Sequence, residues 1–172
     1  MTQFAFSFDV SRCSACLACV VACQDQNDLI VENIAFRQVT IHEEGELSSV
    51  KISSLSLACC HCGDAPCVKA CPTNAIFKQD DTGVVDINRD ICIGCHCCEL
   101  ACPFGATKFA EDGKMAKCNL CHSRLTNNLE PACVKVCSTK ALKAGPLEEL
   151  TKQKTEKASV IILKSLITTQ NK

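Results

Sequence analysis

Alternating apolar and polar side chains mark several short extended segments along the chain. Residues 3–10 (QFAFSFDV) place three phenylalanines on one face, which predicts a strand. Residues 35–57 predict a hairpin, because two alternating segments flank a polar turn around Gly45. Two shorter hairpins are predicted in the same way, over residues 73–90 with a turn at Gly83 and over residues 108–118 with a turn at Asp112 and Gly113. The pattern therefore predicts little regular structure beyond short strands and turns.

Helical segments are predicted towards both ends of the chain. The run LACVVACQDQNDL predicts a short helix that carries Cys19 and Cys23 on neighbouring turns. Residues 147–157 (LEELTKQKTEK) are charged and predict a helix or a loose connector, whereas residues 158–167 (ASVIILKSLI) predict an apolar strand or a short helix. This tail, residues 147–172, either docks on the body of the protein or contacts another subunit.

The apolar stretches are too short to suggest a membrane span or a secretory signal. The longest one, Val160 to Leu163, stops at Lys164. No basic start followed by an apolar stretch precedes Cys13. We therefore expect a cytoplasmic protein, with export alongside a signal-bearing partner as the alternative. Basic residues interleaved with aromatic ones are also missing, so nucleic acid is not an expected partner.

The number and spacing of the cysteines are the most informative feature of the composition. The chain has 18 cysteines among 172 residues, which calls for metal or disulfides. Cys92, Cys95, Cys98 and Cys102 form the run C-x2-C-x2-C-x3-C, closed by Pro103, which is the pattern of bacterial iron–sulfur clusters. The other three runs are Cys13-x2-Cys16-x2-Cys19-x3-Cys23, Cys59-x2-Cys62-x4-Cys67-x3-Cys71 and Cys118-x2-Cys121-x11-Cys133-x3-Cys137.

An internal repeat groups these four runs into two pairs. The segments PCVKACPTNAI and ACVKVCSTKAL, at residues 66–76 and 132–142, share the pattern C-V-K-x-C-x-T-x-A. The second and fourth runs are therefore equivalent, and the first and third share their own spacing. This predicts an α+β fold of two ferredoxin-like bis-[4Fe–4S] units with a pseudo-two-fold relation, one inserted into the other. The predicted parts are an outer unit (1–34 and 103–146), a β-hairpin insertion (35–58), an inner unit (59–102) and the tail (147–172).

Ligation is expected to cross between the runs of each pair. In two-cluster ferredoxins the fourth cysteine of each run binds the other cluster. The four expected ligand sets are Cys59, Cys62, Cys67 and Cys102; Cys92, Cys95, Cys98 and Cys71; Cys13, Cys16, Cys19 and Cys137; and Cys118, Cys121, Cys133 and Cys23. Cys60 and Cys97 are left over as expected non-ligands. Because the clusters replace most of the core, we expect the cluster-free chain to be largely unfolded.

Two other uses of the cysteines agree less well with their spacing. A secreted disulfide scaffold is disfavoured, because such proteins rarely repeat one strict four-cysteine spacing. Zinc is disfavoured because it takes four ligands in two pairs, whereas three of these runs place three cysteines before a fourth with a different offset. The formal charge of −1 counts every cysteine as a neutral thiol, so four loaded clusters would bring the total to roughly −9.

The histidines and the lysines near the runs are not predicted to be cluster ligands. The four histidines are expected to donate hydrogen bonds near the clusters or to lie at the surface, because each cluster already has four cysteines; they are His42, His61, His96 and His122. Four lysines are interpreted as solvated surface residues, with a role in offsetting cluster charge as the alternative; they are Lys69, Lys108, Lys117 and Lys135.

The order of the runs and the sequence around them resemble the iron–sulfur (B) subunits of the dimethyl sulfoxide reductase family of molybdopterin enzymes. The resemblance covers about residues 4–150 and includes DVSRCSACLACVVACQDQNDL, CCHCGDAPCVKACP, CIGCHCCELACPFGA, KCNLC and GPLEEL. It implies four [4Fe–4S] clusters on the sixteen cysteines named above. It also implies electron transfer between a molybdenum or tungsten catalytic subunit and a second redox partner, such as a membrane anchor subunit. Gln24 and Ser138 depart from the proline that closes such runs in simple ferredoxins.

The sequence contains no substrate pocket motif, so no catalytic residue is predicted and the chain is not expected to be an enzyme on its own. The leading hypothesis is an electron-transfer subunit. The alternatives are a small polyferredoxin subunit that links a formate dehydrogenase to a hydrogenase, and a free, diffusible polyferredoxin. Co-purification and size in solution separate these hypotheses.

Overall fold

The computed structural model describes residues 2–29, 34–46 and 48–170 and confirms an α+β protein with small antiparallel sheets. Its strands are β1 (Phe4–Phe8), β2 (Gln38–Glu44), β3 (Lys51–Leu57), β4 (Ile76–Lys78), β5 (Val85–Ile87), β6 (Lys108–Phe109), β7 (Met115–Ala116) and β8 (Leu142–Pro146). Its helices are α1 (Ala18–Gln26), α2 (Pro66–Lys69), α3 (Cys97–Ala101), α4 (His122–Thr126), α5 (Ala132–Lys135) and α6 (Leu147–Gln170), and two 3-10 turns cover Val10–Arg12 and Arg89–Ile91.

Every sheet in the described residues has two strands. The three hairpins predicted from the sequence are confirmed as β2–β3, β4–β5 and β6–β7. The fourth pair joins the two ends of the chain, because β1 runs antiparallel to β8 from the pair Phe4–Pro146 to the pair Phe8–Leu142. Alternation in the sequence predicted strand β1 but could not identify its partner, since pairing across so many residues leaves no local signal.

The pair β8–β1 and the pair β4–β5 lead into the first and third cysteine runs through the same local structure. Each is followed by a 3-10 turn that is capped by the carboxyl or amide side chain directly before it. Asp9 Oδ1 accepts a hydrogen bond from Ser11 N at 3.2 Å, and Asn88 Oδ1 accepts one from Asp90 N at 3.0 Å. The backbone N–H of each capping residue also donates to the carbonyl oxygen of an alanine, Ala141 in one case and Ala75 in the other.

The buried apolar residues form three small clusters instead of one continuous core, and every cluster contains cysteine side chains. The first cluster includes Ile76, Val85 and Met115 around Cys98. The largest fully buried side chains in the described residues are Met115 and Leu120, and none is a phenylalanine. The protein side chains alone therefore build little apolar interior.

The hairpin β2–β3 is buried at its base and exposed towards its tip. Arg37 and Ser56 are buried at the base and Ser54 is buried in the middle of β3, whereas Ile52 and Ile41, the strand partner of Ser54, are exposed. The Ser54 hydroxyl donates a hydrogen bond to the backbone oxygen of Cys13 at 3.3 Å. The middle of β3 is therefore anchored against the first cysteine run.

The tail forms one helix, α6. This confirms the helical prediction for residues 147–157, and the strand alternative for residues 158–167 is wrong. No glycine or proline interrupts the segment, and two glutamates in its first turn favour helix initiation. Leu150 is buried against the body, and Lys157 forms an ion pair with Asp9 at 3.7 Å. The side chains from residue 161 onwards lie outside the described residues, and so does the expected docking of this apolar segment on the body.

Among the residues that the structure describes, no helix combines the length and the apolar character that a bilayer span requires.

A substitution at Gly94 tests how closely the third cysteine run packs against the turn between β6 and β7. Its φ is +63°, and a Cβ placed there would collide with the backbone oxygen of Gly113 in the β6–β7 turn. We expect Gly94→Ala to destabilise the protein by about 1–3 kcal/mol, because it adds this collision to the strain of a left-handed backbone. Gly105→Ala is the matched control, since its φ is +56° but its Cβ would meet nothing within 4 Å. Thermal unfolding of the two variants should rank Gly94→Ala below Gly105→Ala, and equal unfolding temperatures would contradict the collision.

Candidate metal centres

The first group of cysteines combines three residues of the second run with the last residue of the third. Burial raises the pKa of Cys62 and Cys67, and the nearby thiolate charges of Cys59 and Cys102 raise both further. Cys59 and Cys102 also share one apolar cluster. Packing of α2 against α3 brings the two runs together. The structure therefore gathers Cys59, Cys62, Cys67 and Cys102 in one place.

The second group lines a single recess. Cys92, Cys95 and Cys98 contribute to its wall together with Cys71 from the second run. Burial alone would raise the pKa of Cys71, but backbone N–H groups, led by that of Ile76, and the Thr73 hydroxyl outweigh it and lower this pKa. Donors aimed at a sulfur favour its thiolate form, which is the form that binds iron.

The third group surrounds the last cysteine of the first run. Burial raises the pKa of Cys23 to about 11, and the charges of Cys133 and Cys121 add to this effect. Burial also raises the pKa of Cys118 to about 12, and the charge of Cys23 contributes. The helices α1 and α5 pack together and carry Cys23 and Cys133 respectively. Four buried thiols thus face one another, and a metal would compensate the charges of their thiolates.

The fourth group is only partly drawn together by direct contacts. Cys19 and Cys137 pack in the same apolar cluster. Burial would raise the pKa of Cys137, but the backbone N–H of Leu142 and other donors lower it, as they do for Cys71. Cys13 and Cys16 lie on the loop before α1, and their place in this group stays a prediction.

The loop of the first run has the same backbone conformation as the loop of the third. Cys13 has φ −77° and ψ 126°, and Cys92 has φ −74° and ψ 127°. The residue that caps the following helix is left-handed in both loops, with φ +61° at Leu17 and φ +61° at His96. Left-handed side-chain-bearing residues are uncommon and cluster at functional sites, so two at equivalent positions indicate a shared purpose.

The donor set fits iron–sulfur clusters better than it fits the alternatives. All eighteen cysteines are free in the structure. Within the described ranges, no three or more His, Cys, Asp or Glu side chains are placed to hold one metal ion. A single tetrahedral zinc would require sulfurs about 3.8 Å apart, given its bond lengths. A cubane cluster attaches each thiolate to a different iron, so its ligands are more widely spaced.

The two cysteines outside the four groups are exposed. Cys60 makes a long contact, from its Sγ to the Ala58 carbonyl oxygen at 3.9 Å, and burial together with the charges of Cys59, Cys62 and Cys102 raises its pKa, so its exposure and not its distance sets it apart from the first group. A hydrogen bond with Cys95, together with the charge of that neighbour, raises the pKa of Cys97. Their exposure agrees with the expectation that neither is a ligand, which remains a prediction.

One lysine contradicts its surface interpretation. Lys117 is only 4% exposed, and its Nζ donates hydrogen bonds to the carbonyl oxygens of Val85 and Cys118. Lys69 is exposed and paired with Asp64, as expected for a surface lysine. Lys135 is exposed, and Lys108 is half-buried. Lys117 is buried because it directly follows the buried strand β7. Its position between that short strand and Cys118 is the feature of the sequence that could have indicated burial.

Sequence reasoning also missed Arg37, which is 2% exposed at the base of the β2–β3 hairpin. Its Nη1 donates hydrogen bonds to Ser56, and its guanidinium lies 4.5 Å from the centre of the Phe6 ring. A single arginine before a predicted strand gives no indication of burial. Its Nε has no hydrogen-bond partner among the described residues, which fits a group of acceptor sulfurs nearby.

Of the histidines, His61 lies deepest. It is 2% exposed, and burial and the nearby Lys117 lower its pKa to about 3, so its ring is neutral. Its Nδ1 accepts a hydrogen bond from Val85 N at 3.1 Å, which leaves the ring proton on Nε2. Nε2 is buried without a partner among the described residues. The other three lie nearer the surface, with His96 paired to Glu99 and His122 near Asp81.

Comparison with known proteins agrees with this cysteine chemistry. A family model described as a 4Fe-4S dicluster domain matches residues 50–147. The chain is 41% identical to the probable anaerobic dimethyl sulfoxide reductase chain YnfG of Escherichia coli strain K12 over 158 residues, which is 87% of this chain and 76% of that one. It is 39% identical to the B subunit of the anaerobic dimethyl sulfoxide reductase of the same strain over 168 residues, 92% of this chain and 81% of that one. It is 40% identical to the thiosulfate reductase electron transfer subunit PhsB of Salmonella typhi over 151 residues, 86% and 78% of the two chains.

Iron content separates ligands from neighbours in the second run. We expect Cys62→Ser to lose about a quarter of the bound iron, because one of the four clusters expected from the sequence would lose a thiolate. Cys60→Ser should retain the iron of the unaltered protein, since we predict that its exposed sulfur is not a ligand. Iron and acid-labile sulfide per chain measure both variants under identical purification. Equal iron loss in the two variants would refute the assignment.

Removal of the metal tests how far the fold depends on it. We expect the chain stripped of iron to lose its cooperative thermal transition, because the apolar clusters are small and each is completed by cysteines. Circular dichroism during heating reports this loss, and reconstitution with iron and sulfide should restore the transition. A cluster-free chain that unfolds cooperatively at the original temperature would contradict the expectation.

Proposed function

The chain belongs to the family of dimethyl sulfoxide reductase iron–sulfur (B) subunits, and from this premise we propose that it relays electrons through four [4Fe–4S] clusters. The observation that supports the proposal most is the crossed grouping of the cysteines. In three of the four groups, contacts or mutual charge effects connect three cysteines of one run with the last cysteine of another. This is the ligand pattern of two-cluster ferredoxins.

The proposed ligands are sixteen cysteines in four sets. They are Cys59, Cys62, Cys67 and Cys102; Cys92, Cys95, Cys98 and Cys71; Cys118, Cys121, Cys133 and Cys23; and Cys13, Cys16, Cys19 and Cys137. Each iron of a cluster bound in this way has a thiolate, so it has no open position for a substrate. The clusters would supply one-electron redox chemistry, and no residue of the chain is assigned a catalytic role.

We further propose two ferredoxin-like units, one inserted into the other. The inner unit comprises residues 59–102, and the outer unit comprises residues 1–34 and 103–146. The strand pair β8–β1 supports this division, because it leads into its cysteine run through the same capped 3-10 turn that follows β4–β5. Residues 35–58 are the inserted hairpin, and residues 147–172 are the tail.

The chain's own residues do two further things in this proposal. Backbone N–H groups donate towards Cys71 and Cys137, which favours their thiolate forms. Burial of Cys23, Cys118 and Cys133 keeps water away from their cluster, which limits hydrolytic loss of iron and sulfide. Such shielding suits a carrier that must pass electrons without side reactions.

The relatives' names guide the choice of partner. One relative is the B subunit of an anaerobic dimethyl sulfoxide reductase, and another is an electron transfer subunit of a thiosulfate reductase. We therefore propose a molybdenum or tungsten catalytic subunit as one partner and a second redox subunit as the other. A link between a formate dehydrogenase and a hydrogenase remains the alternative setting.

Helix α6 favours a subunit over a free polyferredoxin. After the buried Leu150, its described side chains from residue 151 to residue 160 are exposed. Val160 and Leu147 are among the exposed apolar residues of this helix. Over residues 151–160 its contacts with the body are polar ones, such as Lys157 with Asp9 and Gln153 with Lys143, and an exposed helical surface of this kind is typical of a segment that contacts another subunit.

Composition and association test the proposed function together. We expect about sixteen iron and sixteen sulfide ions per chain, as four clusters require. We also expect affinity purification from the native host to recover a large molybdopterin subunit. Gel filtration of the tagged chain separates a complex from a monomer.

Other results would point elsewhere. Zinc without sulfide would refute the clusters, and iron corresponding to two clusters would refute the count of four. A monomer that recovers no large subunit would favour the diffusible polyferredoxin. Recovery of a hydrogenase would favour the alternative setting.

A further inference from the structure

Arg37 is a buried cation without a carboxylate partner. It is 2% exposed, and within the described part of the chain none of the ion pairs includes it. Its contacts are the Ser56 carbonyl oxygen at 3.3 Å, the Ser56 hydroxyl at 3.1 Å and the face of Phe6. Removing a guanidinium from water is costly unless a negative group compensates it. Some other negative group must therefore lie close to Arg37.

The contacts of Arg37 lead to sulfurs of the outer unit, because the Ser56 hydroxyl that it binds lies 3.4 Å from the Sγ of Cys19, and Cys133 packs in the same apolar cluster as Cys19. Burial raises the pKa of Cys23, Cys118 and Cys133, and the positive charge of Arg37 opposes this effect at each of them. The charge of Arg37 also opposes the raised pKa of Cys60, which is not a proposed ligand, whereas the three cysteines above belong to a single proposed ligand set. The Arg37 Nε, buried without a partner among the described atoms, is a further donor available to that set.

Ser56 extends the effect of Arg37 to a second ligand set. The Ser56 hydroxyl oxygen accepts a hydrogen bond from Arg37, and the same oxygen lies 3.4 Å from the Sγ of Cys19. Because Arg37 can only donate, the hydroxyl proton of Ser56 is free to point at the sulfur. The hydrogen-bonded series Arg37–Ser56–Cys19 therefore ends in a donor to a proposed iron ligand.

We propose that Arg37 and Ser56 raise the reduction potentials of the two outer clusters, those of the Cys118 set and the Cys19 set. Reduction adds one negative charge to a cluster, so a fixed positive charge nearby stabilises the reduced state more than the oxidised one. A hydrogen bond to a ligand sulfur acts in the same direction. Arginine suits this task because it stays charged under all conditions. The proposal rests on the proposed function, because it presupposes the clusters, and it makes Arg37 and Ser56 positioning residues.

The test is a redox titration followed by electron paramagnetic resonance on the complete, cluster-loaded protein. We expect Arg37→Gln to favour the oxidised form of two clusters about tenfold, which corresponds to a downward shift of about 59 mV for a one-electron couple. Ser56→Ala should shift the Cys19 cluster alone, in the same direction and by less. Arg37→Lys should restore most of the potential, because it keeps the charge. Loss of a signal in Cys118→Ser and in Cys19→Ser assigns the two clusters.

Arg89→Gln is the matched control. Arg89 lies next to the third run, but it is partly exposed and paired with Asp112 at 2.8 Å. We expect the loss of its charge to leave all four reduction potentials unchanged, because solvent and its partner Asp112 already screen that charge in the unaltered protein. An equal shift in Arg89→Gln and Arg37→Gln would overturn the proposal, since any surface charge would then act alike.

The outcomes keep this proposal distinct from the proposed function. Iron and sulfide are measured first on the unaltered protein, and absence of clusters refutes the proposed function. Full clusters with unshifted potentials in Arg37→Gln refute the tuning role alone. If Arg37→Gln fails to retain its clusters, Ser56→Ala and Arg37→Lys decide. A lowered potential of the Cys19 cluster in Ser56→Ala then supports the proposal, and an unshifted one overturns it.

Discussion

Ligation of iron by cysteine thiolates is the interaction on which the rest of this structure depends. Paired strands of two or three residues and helices of four or five residues are not stable on their own in water. The buried apolar residues form separate clusters, each of which includes cysteines. In such a protein the free energy of metal binding is a large part of the free energy of folding. The arrangement of the runs follows from this, because runs distant in sequence must meet around shared clusters.

Negative charge in the interior is the second constraint. Clusters bound by four thiolates carry net negative charge, and the described interior offers no carboxylate as partner to its two buried basic side chains, Arg37 and Lys117. Lys117 instead donates to carbonyl oxygens beside Cys118. His61, by contrast, is neutral, because burial and the neighbouring cations disfavour a further positive charge. The interior is thus a balance between thiolates and a small number of fixed cations.

Local features of the fold were predictable from the sequence, and long-range ones were not. The hairpins β2–β3, β4–β5 and β6–β7 follow from alternation and turn residues, and helix α1 follows from its composition. Partner choice for β1 depends on β8, at the other end of the described body, so no local pattern carries it. The spacing of the cysteines, in contrast, encodes contacts between distant runs, because the chemistry of a cluster fixes how its ligands combine.

The residues that the sequence did not predict share one property: their role depends on what lies around them in space. Lys117 looks like a surface lysine until strand β7 places it inside. Arg37 directly precedes strand β2, and the sequence of this strand does not indicate that the residue before it is buried. Helix α6 was ambiguous because its apolar half is compatible with a strand or a helix, and only continuity with the charged half decides between them. Burial of a charged side chain leaves no mark in the sequence when its compensation comes from a cofactor.

The backbone repeats around the cysteine runs, so in the proposed arrangement any difference between clusters would come from other parts of the chain. Gly94 and Ala15 occupy equivalent left-handed positions in the third and first runs, as do His61 and Leu120 in the second and fourth. Cluster type and ligands are the same throughout the proposed arrangement, so these do not distinguish one cluster from another. Reduction potential then depends on hydrogen bonds, charge and exposure at positions where the two units differ. In the proposed arrangement, the duplicated ligand frame would fix where electrons can reside, and the side chains that differ between its two copies would determine the relative energies of the electrons there.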